Sequence, residues 1–121
     1  MKTTEIQKVF NFNPANQQIR VEVINGEAWF VAKDVCDALG IKNSRDAVFN
    51  VLDDDEKGVA KIYTLGGNQK MTVINESGVY NLIFRSNKPQ ARAFRKWVTS
   101  EVLPTITEMF MRVVRSAELA M

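Results

Sequence analysis

The stretch Ile19-Arg20-Val21-Glu22-Val23-Ile24-Asn25-Gly26-Glu27-Ala28-Trp29-Phe30-Val31-Ala32-Lys33-Asp34-Val35 decides the fold class. Ile19, Val21 and Val23 alternate with polar Arg20 and Glu22, the period of a half-buried strand. Asn25-Gly26 then supplies two residues that tolerate the positive φ angles of a type I′ turn. Glu27 to Val31 is the returning strand. At Ala32 the period changes: Val35, Ala38 and Leu39 recur at helical spacing, Asp34 favours the helix dipole and Gly40 is placed to end the helix.

Working outward, residues 4–12 alternate loosely and Asn13-Pro14-Ala15-Asn16 reads as a turn, so residues 1–31 are expected to form a three-stranded antiparallel meander. Asn43 or Ser44 caps a second helix, with Asp46 in its first turn and Ala47, Val48, Val51 and Leu52 on its apolar face. Asp53-Asp54-Asp55-Glu56 follows and is expected to be a solvated loop, because consecutive acids point in different directions and no spaced ligand pattern continues. Val59–Leu65 and Gln69–Ile74 read as strands joined by Gly66-Gly67-Asn68. The glycines lead into no helix, so no phosphate-binding loop is expected. Asn75 caps a helix from Glu76 to about Arg85. Pro89 opens the next helix, which is expected to run to Leu103 and to stop or kink at Pro104. A last helix carries Ile106, Met109, Phe110, Val113, Val114 and Ala117 on one side.

Composition fits one domain. The chain has 121 residues, 45% hydrophobic and 25% charged, enough for a single core and too short for two full domains. The expected architecture is an α+β single domain over 1–104, antiparallel hairpins and meander packed with about five α-helices, followed by a C-terminal helix over 105–121. Apolar runs are far shorter than a membrane span requires, and Met1–Glu5 leads into no secretory signal, which points to the compartment of synthesis. His is absent and Cys36 is alone, so the usual general base, zinc ligand and disulfide are missing. Cys36 is expected to be a small core residue. No enzyme, cofactor or metal is expected.

The net charge of +2 conceals a separation. Residues 1–56 carry six Lys/Arg against ten Asp/Glu, a net of −4. Residues 57–100 carry eight against Glu76 alone, a net of +7. Such asymmetry indicates an acidic partner, with nucleic acid first among them. Projected at about 100° per residue, Lys88, Arg92, Arg95, Lys96 and Thr99 share one stripe of a helix, opposite Ala91, Phe94, Trp97, Val98 and Val102. Arg85 and Ser86 precede the stripe. No acidic residue interrupts Ser77 to Ser100, so these cations lack local carboxylates and suit phosphates. Trp97, on the apolar side, is expected to anchor the core and not to stack on bases. A weaker signal is Val35–Ile41 followed by the second helix. It resembles the turn of a helix-turn-helix, with Lys42, Asn43, Ser44, Arg45 and Asn50 as groove-facing candidates. The expected match fails at Asp46, where an apolar residue belongs.

Several blocks together resemble a known family. Trp29-Phe30-Val31-Ala32-Lys33-Asp34-Val35 with Ala38-Leu39-Gly40 is similar to the opening motif of the BRO N-terminal domain of large DNA viruses, phages and prophages. Ile74-Asn75-Glu76-Ser77-Gly78-Val79-Tyr80-Asn81-Leu82-Ile83 and Arg85-Ser86-Asn87-Lys88-Pro89 resemble its central block. Phe94-Arg95-Lys96-Trp97-Val98 and Glu101-Val102-Leu103-Pro104 resemble its closing block. The similarity runs in the family's order from about Glu22 to Ile106. It implies DNA binding, transcription regulation as a phage or prophage antirepressor-like protein, and the cytoplasm of a bacterial host cell. The alternative it leaves open is a protein-interaction module that sequesters a repressor through the acidic half or the C-terminal helix. The family continues with a basic segment and a glycine after Leu103-Pro104, whereas this chain reads Thr105-Ile106-Thr107-Glu108-Met109-Phe110, so the binding surface is not extended past Thr99. In the family a second domain begins where this chain ends, which implies either a truncated chain or a stand-alone module. The apolar C-terminal stripe leaves docking on the domain body and a homodimer seam equally open.

Overall fold

The computed structural model describes residues 5–119; Met1–Thr4 and Ala120–Met121, including the segment read for a leader, lie outside the described residues. The fold is α+β in a single domain. The expected meander is present as β1 (Glu5–Phe12), β2 (Gln17–Ile24) and β3 (Glu27–Val31). Asn25 and Gly26 both have positive φ, 52° and 84°, as the type I′ turn requires. A second hairpin, β4 (Lys57–Thr64) and β5 (Gly67–Ile74), joins the meander through β5. The result is one antiparallel sheet in the order β1-β2-β3-β5-β4, with Phe30 opposite Ile74 and Val31 opposite Val73.

The two faces of the sheet have different roles. Ile19, Val21, Val23, Ala28, Phe30 and Ile74 point into the main core, packed on the helices. Val31, Ile62 and Val73 form a smaller cluster on the other face, flanked by Trp29, Ala60 and Met71. Gln7, cross-strand from Glu22 and Trp29, lies on that second face. Its amide closes the sheet's two outer strands together: the Tyr63 N–H donates to Oε1 at 2.9 Å and Nε2 donates to the Tyr63 carbonyl at 3.2 Å. The sheet therefore curls away from the helices. On the helical side, Asp34 takes a bidentate fork from the Arg20 guanidinium at 2.8 and 2.9 Å and the Arg20 N–H at 3.0 Å. That buried pair locks the first helix to β2.

The first three helices start and stop where the sequence indicates. α1 (Ala32–Leu39) ends at Gly40 with φ 74°. α2 (Ser44–Val51) is capped by Asn43, whose side chain accepts the Asp46 N–H at 3.0 Å. α3 (Glu76–Arg85) is capped by Asn75, which accepts the Gly78 N–H at 3.0 Å. No helix among the described residues is long and apolar enough to cross a membrane.

Three local expectations are corrected. The second turn is Leu65-Gly66 and not Gly66-Gly67-Asn68, since Thr64 pairs with Gly67; Gly67 takes the positive φ as the first strand residue. The acidic run is not a solvated loop throughout. Asp53 caps a short 3-10 turn, Asp54–Glu56, and Glu56 is only 4% exposed. Pro104 does not stop the helix. α4 (Gln90–Trp97) passes through a π turn, Val98–Val102, directly into α5 (Leu103–Leu119). In that wide turn the Leu103 N–H bonds back to the Val98 carbonyl, which makes room for a proline ring that an ordinary α-turn would press against a carbonyl.

The C-terminal stripe is divided between two environments. Ile106 is buried, and the Phe110 ring lies so close over Gly26 that a Cβ there would sit 2.8 Å from Cε1. Val113, by contrast, is 38% exposed. The first turns of α5 thus dock on the domain body, whereas Val113 stays exposed. Ala117 belongs to the helix, but its side chain lies outside the described residues.

Candidate nucleic-acid interface

α4 is positioned by its apolar side. Ala91, Phe94 and Val98 are buried, and Trp97 is half-buried against Phe12 and Phe94, with ring centroids 5.1 and 5.5 Å away. Phe10 meets the same indole edge-on at 6.3 Å. An aromatic cluster of this kind fixes the helix's rotation as well as its depth. The opposite face carries Arg92, Arg95, Lys96 and Thr99, all exposed as expected, with Arg85 and Lys88 exposed at the preceding turn. None of these five cations forms a salt bridge among the described residues.

The acids of the first half do little to neutralise them. Glu22, Asp34 and Glu56 are buried, Asp37 pairs with Lys33 at 3.1 Å, and Asp46 accepts the Asn50 amide. Glu56 accepts from the Ser77 hydroxyl, the Asp53 N–H and the Asn81 amide, and these donors hold its carboxyl below the usual range. Each of these five acids is therefore buried or already partnered.

The polar candidates divide by what their side chains already do. Ser86 is half-buried and donates its hydroxyl to the Leu39 carbonyl at 3.0 Å, so it fixes the α3–α4 turn to the end of α1. The Lys88 stem lies over Gly40, where a Cβ would come within 2.9 Å of Cγ. Thr99 donates to the carbonyls of Arg95 and Lys96 at 3.1 Å each, which leaves its oxygen lone pairs and not its proton for a ligand. Asn43 is occupied as the α2 cap and Asn50 by Asp46. Lys42 is exposed, and Arg45 faces a different cavity, with Ser44, near the start of α1. The structure thus brings Arg92, Arg95, Lys96 and Thr99 together and holds Arg45 apart. Cys36 is fully buried, and burial with the nearby Asp37 pushes its thiol up to about 11, so it carries no thiolate at neutral pH.

Sequence reasoning missed one residue of this surface. Phe84 is 89% exposed. It lines a groove of about 450 Å³ with Tyr80, Ile83, Arg95 and Thr99. A neighbouring groove of about 570 Å³ runs along Ile83, Arg92, Arg95 and Lys96. The signal was available: at about 100° per residue, Phe84 falls well off the Val79–Leu82 face of α3.

These features define a compact α+β domain that presents a rigid, unpaired cationic helix face beside an apolar groove. The chain belongs to the BRO family: residues 18–104 match the BRO family N-terminal domain. A protein of Haemophilus influenzae, named only as uncharacterised, is 40% identical over 114 residues, covering 93% of this chain and 55% of the relative. A protein of Invertebrate iridescent virus 6 named for a Bro-N domain is 28% identical over 124 residues, covering 88% of this chain and 30% of the relative. Another from Invertebrate iridescent virus 3 is 31% identical over 113 residues, covering 75% and 28%. The chain spans about half the length of the bacterial relative and under a third of the viral ones. No solved structure matches it significantly.

Proposed function

We propose that this domain is a non-enzymatic DNA-binding module of a phage or prophage antirepressor-like regulator, working in the cytoplasm of a bacterial host cell, and that it contacts phosphates through Arg85, Lys88, Arg92, Arg95 and Lys96. The observation that carries the reading is the absence of any salt bridge to these five side chains among the described residues, on a helix whose other face is fixed by the aromatic cluster. Unpaired cations in a rigid row track a phosphate backbone and release its counterions. A non-catalytic role is supported by Glu56, the buried acid of the Asp53–Glu56 run. Its oxygens are occupied by three donors and its carboxyl is held low, the wrong direction for a general acid.

The test is a DNA titration over a range of salt with the variant Arg92→Ala/Arg95→Ala/Lys96→Ala. Loss of three phosphate contacts flattens the slope of log K against log salt by up to about 2.7, with weaker binding to every sequence. These side chains are exposed, so the fold is retained. Unaltered DNA affinity in the folded triple variant refutes the assignment.

A second reading, a module that sequesters a repressor, is favoured by one observation: Val113, on the apolar stripe of α5, remains exposed. A second copy of the chain would fit the same stripe as a homodimer, and a two-fold pair suits paired DNA half-sites. Association through apolar contacts depends weakly on salt, so the titration also separates the two readings.

A further inference from the structure

A second basic site lies at the start of α1. Lys33 from α1, Arg45 from α2 and Lys70 from β5 line one cavity of about 320 Å³, and no carboxylate lines it. Two consecutive helices and a strand of the second hairpin thus bring three cationic side chains to the wall of one cavity. Lys33 shares its charge with Asp37 at 3.1 Å, whereas Arg45 and Lys70 form no salt bridge among the described residues. Ser44 and Thr72 add hydroxyls to the same wall. Apart from Gln69 the rest of the wall is apolar, with Phe49 its aromatic member and 56% exposed. Lys57 Nζ stands 5.3 Å from the centroid of that ring.

We propose that this cavity binds a phosphate-bearing planar ring of about mononucleotide size, with the phosphate on Arg45 and Lys70 and the ring against Phe49. The volume lies at the small end of ligand pockets, which suits one nucleotide unit. Arg45 presents a planar fork to phosphate oxygens and Lys70 a point charge, the two standard ways of holding that group. The site is separate from the α4 row: Lys88 packs at Gly40, the far end of α1, roughly 12 Å from Ala32 for eight residues of helix. The inference therefore stands whether or not the α4 row binds DNA.

Isothermal titration calorimetry with adenosine monophosphate, adenosine and inorganic phosphate tests it on the full chain. The expected result is saturable binding of the monophosphate, weaker binding of phosphate alone and weakest of adenosine. The variant Arg45→Ala/Lys70→Ala, altered at two exposed positions, loses at least about tenfold in affinity for the monophosphate, as removal of charge-assisted hydrogen bonds requires. The Arg92→Ala/Arg95→Ala/Lys96→Ala variant retains full binding. A short oligonucleotide that displaces the monophosphate from this last variant assigns the site to a nucleotide within a strand, and failure to displace it assigns the site to a free nucleotide. No saturable binding of the monophosphate, equal binding by phosphate alone, or binding unchanged in the Arg45/Lys70 variant overturns the proposal.

Discussion

Replacing Glu56 with Ala tests how a buried carboxylate holds α3 and, through it, the start of the cationic row. Glu56 Oε1 accepts the Asp53 N–H at 2.9 Å, and Oε2 accepts the Ser77 hydroxyl at 2.5 Å and the Asn81 amide at 2.7 Å. Its backbone carbonyl accepts the Asn75 N–H at 3.0 Å, immediately before α3 begins. Hydrogen bonds to a charged group contribute about 1.5–3 kcal/mol each, and removal of the shared acceptor orphans all three donors. Part of that loss is recovered, because the site is near enough to the surface for water to enter the space left. The expected cost is therefore about 3 kcal/mol, a fall in Tm of roughly 10 °C for a domain of this size. Glu56→Gln keeps the shape and one acceptor oxygen, and costs about 1 kcal/mol.

The same network predicts a pH signature. The Ser77 hydroxyl, then the Asp53 N–H, Asn81 and Lys57, hold the Glu56 carboxyl below its ordinary value, against burial. A carboxyl whose folded pKa is depressed binds fewer protons folded than unfolded. Its stabilisation is thus complete above the unfolded value and is lost as pH falls through the folded one. Urea unfolding at neutral pH, and again at steps below about pH 5, measures both effects. The gap between the unaltered chain and Glu56→Ala should be widest at neutral pH and narrow on acidification. A neutral-pH gap under about 0.5 kcal/mol, or one that fails to narrow, refutes the account.

Two further outcomes are expected. Trp97→Ala should cost about 3 kcal/mol, the low end for losing a large aromatic because the indole is only half-buried; in a chain lacking Trp29, the emission of Trp97 should be unchanged by DNA, and quenching would place the ring at the ligand instead of in the core. For α5, the full chain is expected to self-associate at high concentration and Val113→Glu to run as a monomer, since Ile106 and Phe110 are already docked while Val113 is exposed; two monomers by light scattering would dismiss the seam.

Local chemistry was legible where one or two residues determine a conformation. Asn25-Gly26, Gly40, and the caps Asn43 and Asn75 act within four residues, and each performs its expected role. What escaped were pairings across the chain. Nothing local in Phe30 or Ile74 reports that β3 and β5 adjoin, nor that Gln7 completes the outer edge at Tyr63, 56 residues away. The acidic run misled for a related reason: charge density predicts solvation, but Glu56 has donors waiting on α3 at Ser77 and Asn81. At the interface, helical projection found the cationic row because one face of α4 is apolar throughout. It missed Phe84 because the projection was applied to α4 and not to α3.

The long C-terminal helix shows how the same pattern, taken with its spacing, explains both the passage through Pro104 and the end of the basic row. Among the described residues its buried positions from Phe94 onward are Phe94, Val98, Val102 and Ile106, each four after the last. Each such step turns an ideal α-helix about 40° past a full circle, so three of them would carry the stripe roughly 120° around and off the core. A π turn between Val98 and Val102 widens the helix where those steps fall and returns the stripe to the same face. That turn also gives Pro104 its room, so the proline marks the site of rewinding and not the end of a helix. Rewinding has a consequence for charge. The stripe opposite the core is Arg92, Arg95 and Lys96 on α4 and Thr99 inside the turn, where exposed Ser100 and Glu101 follow it, with Glu108 exposed beyond. The cationic row of α4 therefore ends at Thr99 for a structural reason as well as a compositional one.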